Sequence, residues 1–415
     1  MASKRTELAI KGGKPVRSKP FPSWPVHDEK ERRALLDVLE SGKWWYGQKV
    51  KQFEDEFAAY QDAKFGVTSV NGTAALYIAL IAAGIGAGDE VILPPYTFVA
   101  TASSVLSANA VPVFVDVDLD TWNLDPDKME SAITEKTRAI MPVHFGGLPS
   151  DMDRINRIAK KHNLIVIEDA AHAWGTKWRG KGAGALGHLG AFSFQMGKNI
   201  TSGEGGITLT DDEKLADRAR SFANCGRGKG GGWYEHYLMG GNYRMTELQA
   251  AILLCQLKRL PGHVRKRERN AAYLDEQLSQ VPGIHIIPRH KRVTQRSYHL
   301  YGFRFVAEEF GSITRDDFIE AVNAEGIPFG SGYPHPLYKN PLFLRKGSGP
   351  KFCPLSCPFY GRMMDYSKVV CPNAELLCKQ AVWIGHSVLL GAKRDMQDIV
   401  RAVVKVYENQ KQIKQ

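Results

Sequence analysis

The sequence of 415 residues has little cysteine, no internal repeat and no segment of biased composition. Apolar residues make up 43% and charged residues 24%, so the disordered, collagenous and disulfide-rich classes are excluded. The first 25 residues lack the apolar run of a secretory signal, and we therefore expect a cytoplasmic protein. The length exceeds what one ordinary core supports, which predicts one large or two medium domains.

Charge of one sign forms only short clusters, although 55 Lys and Arg against 44 Asp and Glu give a net charge of +11. A positive charge favours anionic partners, but no nucleic-acid recognition motif is found. Residues 65–88 and 91–115 carry no charged side chain and are each long enough to span a bilayer. Their glycines and prolines differ from a lipid-facing helix, so we assign both to a buried α/β core. We expect neither a nucleic-acid nor a membrane partner.

Four of the six cysteines, Cys353, Cys357, Cys371 and Cys378, fall within 26 positions. Their spacing departs from the common zinc-binding patterns. We interpret them as reduced thiols, which suit the cytoplasm, and predict no metal site. The chain also lacks the motifs of nucleotide-binding phosphate loops, zinc proteases and serine hydrolases.

Short apolar runs alternate with helical segments over most of the chain. This alternation predicts an α/β fold with a mostly parallel central sheet covered by helices, and a ligand site at the carboxyl ends of the strands. The predicted strands are 65–70, 90–93, 111–115, 139–143, 165–168, 191–194 and 206–210. The predicted helices of the same part are 27–39, 50–60 and 74–83.

A long helical stretch over 246–278, broken at Pro261, precedes a predicted domain boundary. Residues 1–280 form the expected large domain, with an N-terminal arm over 1–60, and residues 281–415 a smaller α+β domain. The elements predicted for the smaller domain are a strand at 300–306, a helix at 314–325, a loop at 326–343 and a final helix from Met396.

One lysine, Lys198, stands in a loop after a predicted strand, in AFSFQMGKNITSGEGG. A loop lysine is usually solvated, so its interpretation depends on its neighbours. The strand of IVIEDAAH ends at Glu168 and Asp169, and a buried carboxylate needs a cation or a hydrogen-bond donor. The alternative is that Asp169 caps a helix.

Gly72 and Thr73, in VNGTAAL, stand where a strand runs into a helix. Free backbone N–H groups at a helix start suit a phosphate, although Asn-Gly-Thr is also an ordinary turn. A helix start, a buried acid and a lysine, each after a core strand, are the groups that pyridoxal 5'-phosphate (PLP) requires. The sequence therefore predicts PLP as the cofactor.

Six segments, in this order and spacing, resemble the DegT/DnrJ/EryC1/StrS sugar aminotransferases, which are fold type I PLP enzymes. The resemblance covers roughly residues 15–405 and implies this fold for the chain. The segments are NGTAAL, PPYTFVATA, PVHFGG, EDAAHAWG, FSFQMGKNITSGEGG and GGNYRMTELQAAI. FPSWP, FSFQ and HPLYKNPLF are most similar to the branch of scyllo-inosose aminotransferases and 3-amino-5-hydroxybenzoate (AHBA) synthases.

The resemblance implies a role for each matching residue. Lys198 would bind the cofactor covalently and move a proton during transfer, and Asp169 would pair with the pyridine nitrogen. His172 would lie beside the ring, and Phe98 would stack on it. The alternatives are a polar residue on a helix for His172 and a core aromatic residue for Phe98.

The resemblance also implies the phosphate ligands and the assembly. Ser193 would bind the phosphate together with Gly72 and Thr73. Asn242 would reach the phosphate of the neighbouring subunit, which implies a homodimer with shared active sites. Gly241 differs from the Ser or Tyr common at that position in the family, which puts the reach of Asn242 and Arg244 in doubt.

The implied reaction moves the amino group of glutamine or glutamate to the ketone of a sugar or cyclitol. Candidate substrate contacts are Tyr46, Arg244, Tyr333 and His335, each of which has packing or surface exposure as its alternative. Related dehydratases carry histidine in place of the lysine, so Lys198 favours transamination. Three alternatives stay open: a nucleotide-linked keto sugar as acceptor, an AHBA-synthase-like dehydration, and a non-catalytic sensor of the cofactor.

Overall fold

The computed structural model describes residues 7–311, 313–344 and 353–413, whose strands form three β-sheets. The strands are β1 (Phe65–Ser69), β2 (Glu90–Leu93), β3 (Val111–Phe114), β4 (Thr137–Ile140), β5 (Ile165–Asp169), β6 (Lys177–Trp178), β7 (Lys181–Gly182), β8 (Leu189–Ser193), β9 (Gly206–Thr210), β10 (Ile284–Ile286), β11 (Val293–Gln295), β12 (Leu300–Phe305), β13 (Gly330–Ser331) and β14 (Ala381–Gly385). The α-helices are α1 (Glu29–Ser41), α2 (Gln48–Tyr60), α3 (Gly72–Ala82), α4 (Ala100–Ser107), α5 (Met152–Lys161), α6 (Glu213–Ala223), α7 (Glu247–Leu278), α8 (Ala307–Phe310), α9 (Arg315–Ala324), α10 (Pro341–Leu344), α11 (Pro372–Gln380) and α12 (Lys393–Asn409).

The large sheet has the strand order β1-β9-β8-β5-β4-β2-β3. Strand β9 pairs antiparallel with both β1 and β8, and the other pairs of the sheet are parallel. All seven predicted strands are present, and the one predicted at 139–143 begins and ends earlier, as β4. The α/β class with a mostly parallel sheet is therefore confirmed.

The two stretches without charge form buried elements, as predicted. Residues 65–88 contain β1 and α3, and residues 91–115 contain α4, β3 and most of β2. Helix α3 packs against β8 and β9 on one side and against α4 and α6 on others. Apolar residues on all sides of α3 fit this enclosure. The contacts with β8 and β9 fix the position of the helix against the sheet.

Helix α7 is continuous, so the predicted break at Pro261 is wrong. Leu257, Leu260 and Val264 lie on both sides of the proline and are buried in one cluster. A proline inside a helix costs about 3 kcal/mol, whereas each large aliphatic side chain gains about 1.5–3 kcal/mol on burial. The common apolar face thus outweighs the missing hydrogen bond.

The carboxyl-terminal part contains an antiparallel sheet with the order β10-β12-β14-β13. Phe303, Phe318 and Val403 belong to its own buried cluster, in which α9 and α12 pack on the sheet. This smaller α+β unit agrees with the predicted class, although several of its elements were missed, among them β10, β14 and α11, and the predicted loop at 326–343 contains β13 and the start of α10. Helix α12 begins at Lys393, three residues before the predicted start. The boundary near residue 280 stays a prediction.

The six cysteines are free thiols, and Cys357, Cys371 and Cys378 are buried. Among the described residues, no group of three or more His, Cys, Asp or Glu side chains is arranged to hold a metal ion. Within the same ranges, no helix combines the length and the apolar character needed to cross a bilayer.

Candidate active site

Lys198 lies in the loop that joins β8 to β9. The loop is closed at its base by a hydrogen bond of 2.8 Å from Phe194 N to Gly205 O. The lysine lines a cavity of about 630 Å³. Burial lowers the pKa of its amine to about 8, against the opposing effect of the Asp169 carboxylate. A sizeable fraction of the amine is therefore neutral near physiological pH, which a nucleophile or base requires.

Asp169 ends β5 and lines the same cavity. Its Oδ2 accepts a hydrogen bond of 2.7 Å from the hydroxyl of Thr101, and its Oδ1 accepts one of 3.2 Å from Ala171 N. Burial raises the pKa of the carboxyl, and these two donors lower it. Turns, not a helix, follow Asp169, so the alternative of a helix cap is wrong.

The neighbouring acid, Glu168, is satisfied inside the protein. Its carboxylate accepts from the backbone N–H groups of Gly184, Leu186 and Gly187 and bonds to His144 at 2.7 Å. Four partners account for its oxygens, and it does not line the cavity of Lys198. Asp169 is therefore the carboxylate available to a ligand.

The start of α3 meets the end of β8 at close range. A Cβ atom on Gly72 would lie 2.5 Å from Cβ of Ser193, so only glycine permits this approach. The side chain of Asn71 caps the helix by accepting from Ala74 N at 2.8 Å. Within the described ranges, the backbone N–H groups of Gly72 and Thr73 have no hydrogen-bond partner. They point to an anion-binding helix start beside a serine hydroxyl.

The two residues predicted to contact the ring, Phe98 and His172, line the cavity as well, and so does Tyr333, a predicted substrate contact. Nδ1 of His172 accepts a hydrogen bond of 3.3 Å from Gly146 N, so its proton is on Nε2. Burial, followed by the nearby charge of Lys198, holds the pKa of His172 well below its usual range. The Phe98 side chain is 59% exposed, which excludes the alternative of a core aromatic residue.

Eleven further residues of the lining were not predicted, and five of them carry polar or aromatic side chains that could meet a ligand: Thr97, Gln195, Glu204, His299 and Trp383. Thr97, Gln195 and Glu204 lie inside the quoted motifs, close to predicted site residues. His299, the residue before β12, and Trp383, in β14, come from the smaller sheet and its approach, and a single sequence carries no signal that they reach this cavity.

Four predicted residues do not line this cavity within the described chain: Tyr46, Asn242, Arg244 and His335. The Tyr46 hydroxyl donates to Glu54 at 2.9 Å. Asn242 is exposed, and His335 is half-buried in the loop after β13.

The Arg244 side chain is already engaged by residues of its own chain. It donates to Asn224 Oδ1 at 2.9 Å, and its guanidinium lies 5.2 Å from the ring centre of Trp45. Contact of Tyr46, Arg244 or His335 with a substrate in the same chain is thus not supported.

Comparison with known proteins finds aminotransferases and an AHBA synthase that are similar to this chain over nearly its whole length. An L-glutamine:2-deoxy-scyllo-inosose aminotransferase of Streptomyces paromomycinus is 39% identical, over 96% of this chain and 97% of that protein. The enzyme of that name from Micromonospora echinospora is 38% identical over 99% and 100%. The crystal structure of an AHBA synthase superposes with a TM-score of 0.84 at 32% identity, over 95% and 100% of the two chains.

The family model covers the quoted motifs and the cavity that they build. Residues 25–404 match it, and this range includes Lys198, Asp169 and the start of α3. The predicted resemblance is thereby confirmed, and the chain belongs to the DegT/DnrJ/EryC1/StrS aminotransferase family.

Proposed function

We propose that this aminotransferase uses PLP to move the amino group of L-glutamine or L-glutamate to the ketone of a cyclitol or sugar. One observation carries the proposal: a half-buried lysine, a buried carboxylate and a helix start with unpaired N–H groups within the described chain line one cavity. The named activities of the relatives support glutamine as donor and a keto-cyclitol as acceptor.

The residues of the cavity fit PLP. Beside the close approach of Gly72 to Ser193, two backbone N–H groups have no partner within the described chain, and the Ser193 hydroxyl, which accepts from Gln195 N at 3.3 Å, can still donate to a phosphate. Among the residues that the structure describes, Asp169 accepts only from an N–H group and a hydroxyl, so a ring N–H would supply the cation that a buried carboxylate needs. The amine of Lys198 suits covalent attachment because burial favours its neutral form.

When bound, PLP supplies an aldehyde carbon that joins to amines and a ring that accepts electrons. Lys198 would hold the cofactor through its amine and, once released, would move a proton from the donor's Cα to C4′ of the cofactor and, in the second half-reaction, from C4′ to the acceptor carbon. Asp169 would keep the ring nitrogen protonated. His172, which lines the cavity, stays neutral and carries its proton on Nε2.

The acceptor would lie between polar and apolar walls. Gln195, Glu204 and Tyr333 supply groups for hydroxyls, and Trp383 supplies an aromatic face for the C–H groups of a saturated ring. Since Tyr46, Arg244 and His335 lie outside the cavity of their own chain, any substrate role would come from a neighbouring subunit or from movement.

A homodimer with shared active sites is part of the proposal. Large apolar side chains are exposed in the segment that precedes Asn242, with Trp233 at 78% and Met239 at 97% exposure. Exposed patches of this kind are typical of interfaces. A mixture of Lys198→Ala and Asn242→Ala subunits tests this: each variant alone is expected to have little activity and mixed dimers to regain it, whereas full activity of Asn242→Ala alone would mean that each chain works without its neighbour. A cytoplasmic location stays a prediction.

The proposed activity has a direct test. The purified protein with PLP is expected to show an absorbance band of lysine-bound cofactor that L-glutamine bleaches, and 2-deoxy-scyllo-inosose is expected to restore it. A band that neither glutamine nor glutamate alters would overturn the donor assignment. Restoration only by a nucleotide-linked keto sugar would move the acceptor to that class.

An AHBA-synthase-like dehydration is the second candidate. It is favoured by the TM-score of 0.84 to an AHBA synthase and by the retained Lys198. With an aminated cyclic hydroxyketone as substrate, this reaction would yield an aromatic product with strong ultraviolet absorbance. Transamination without such a product excludes this candidate.

A further inference from the structure

Met196 and Gly197, the two residues before Lys198 in its loop, are exposed, yet their carbonyl groups accept hydrogen bonds from residues outside the loop. The indole N–H of Trp24 donates to the carbonyl oxygen of Met196 at 3.0 Å. The ring nitrogen Nε2 of His386 lies 3.1 Å from the carbonyl oxygen of Gly197. Two consecutive carbonyls just before Lys198 are thus bound by residues from the N-terminal segment and from the turn after β14.

The direction of the His386 hydrogen bond follows from Arg267 of helix α7. Nη2 of Arg267 lies 3.1 Å from Nδ1 of His386. A guanidinium only donates, so Nδ1 accepts and the ring proton is on Nε2, where it donates to Gly197. Burial, then the charge of Arg267, holds the pKa of His386 well below its usual range, so the ring keeps this tautomer at working pH.

Arg267 is completely buried, and among the described residues it has no carboxylate within ion-pair distance. It also donates Nε to the carbonyl oxygen of His386 at 3.3 Å, and its guanidinium lies 6.0 Å from the ring centre of Trp24. The rings of Trp24 and His386 pack edge to face at 4.5 Å. The two donors and the cation therefore form one packed unit, here named the loop clamp (Trp24, Arg267 and His386).

We propose that Trp24 and His386 are positioning residues for Lys198, and that Arg267 orients His386 for this task. The clamp fixes the carbonyls of Met196 and Gly197, and with them the direction in which the next side chain leaves the loop. This deepens the proposed function and rests on it for the role of Lys198, whereas the clamp itself can be tested without any cofactor.

The first test is hydrogen exchange of the cofactor-free protein. Trp24→Phe keeps the ring and removes the donor, at a partly exposed position where folding is not at risk. The amides of Gly197 and Lys198 are expected to exchange about two- to tenfold faster, as loss of one hydrogen bond allows. Trp178→Phe is the matched control, because its indole donates to Asp153 at 3.0 Å outside the cavity. Unchanged exchange in Trp24→Phe would overturn the proposal.

The second test separates positioning from packing. His386→Phe is expected to speed exchange of the same amides, and His386→Gln, which keeps a side-chain N–H donor, to restore much of the protection. With PLP bound, Trp24→Phe is expected to lower kcat several-fold with little change in KM. If wild-type protein binds no PLP, the proposed function fails and the exchange result still decides on the clamp. If PLP binds and Trp24→Phe equals wild type in both readouts, the clamp fails alone.

Discussion

The hydroxyl of Thr101 donates a hydrogen bond of 2.7 Å to Oδ2 of Asp169, and both side chains are buried. Thr101 itself is fixed by Thr97, whose hydroxyl lies 2.9 Å away. The first turn of α4 therefore stabilises the charged form of a carboxylate that burial opposes. The chemistry of Asp169 depends on a helix 68 residues earlier in the chain.

Thr101→Val removes this donor and is expected to raise the pKa of Asp169 further. Because a carboxylate is lost as pH falls through its folded pKa, the acid limb of kcat/KM should move to higher pH, and kcat should fall about tenfold or more. A pH–rate profile measures both. Thr210→Val is the control, since its hydroxyl donates to His188 O, outside the cavity. An acid limb at the wild-type position would contradict the role given to Thr101.

The amine of Lys198 is expected to react with an amine reagent at a rate that rises through pH about 8 in the cofactor-free protein. Asp169→Asn removes the charge that raises this pKa, so the midpoint should move below that of the wild type. Mass spectrometry of the labelled peptide gives the rate at each pH. A midpoint near 10.5, the ordinary lysine value, would mean that the amine is solvated.

Lys198→Ala is expected to fold, to lack the absorbance of lysine-bound PLP, and to lose turnover by several orders of magnitude, because both nucleophile and base are removed. Lys160→Ala, at an exposed position of α5, should behave as wild type. Circular dichroism and a steady-state assay suffice. Activity within tenfold of wild type in the Lys198 variant would reject the assignment.

Gly72→Ala puts a methyl group 2.5 Å from Cβ of Ser193, so the start of α3 must shift away from β8. The affinity for PLP is expected to fall at least tenfold, whereas Gly86→Ala, which meets no atom within 4 Å, should leave it unchanged. Equilibrium titration with PLP or with inorganic phosphate measures the loss. Equal affinities in the two variants would remove the helix start from the phosphate site.

Most of the site can be predicted from the sequence because its residues lie at the ends of predicted strands. Lys198, Asp169 and Gly72 each follow a core strand, and parallel strands bring their carboxyl ends to one edge. Ser193 and Thr73 belong to the same strand-to-loop junctions. Once the strands are predicted, the neighbourhood of these residues follows from the order of the sheet.

The other part of the cavity comes from long-range packing. His299 and Trp383 reach it because the smaller sheet docks against the large one, and neither has a local pattern that distinguishes it from a packing residue. Tyr46 illustrates the opposite case, since its hydroxyl is already used by Glu54. The prediction of a break at Pro261 is wrong for a related reason. Burial of the helix against distant partners keeps it continuous, although the local propensity of proline opposes this.

Strand β9, the antiparallel member of the large sheet, lies directly beside β8, and the two are joined by the loop that contains Lys198. The two ends of this connection, Ser193 and Gly206, are therefore held opposite each other in one ladder. Because one residue spans up to about 3.5 Å of chain, adding or deleting an amino acid between Ser193 and Lys198 is expected to move the amine out of reach of direct proton transfer. Efforts to retarget this enzyme to new ketones should keep that span constant and vary the walls contributed by the smaller sheet.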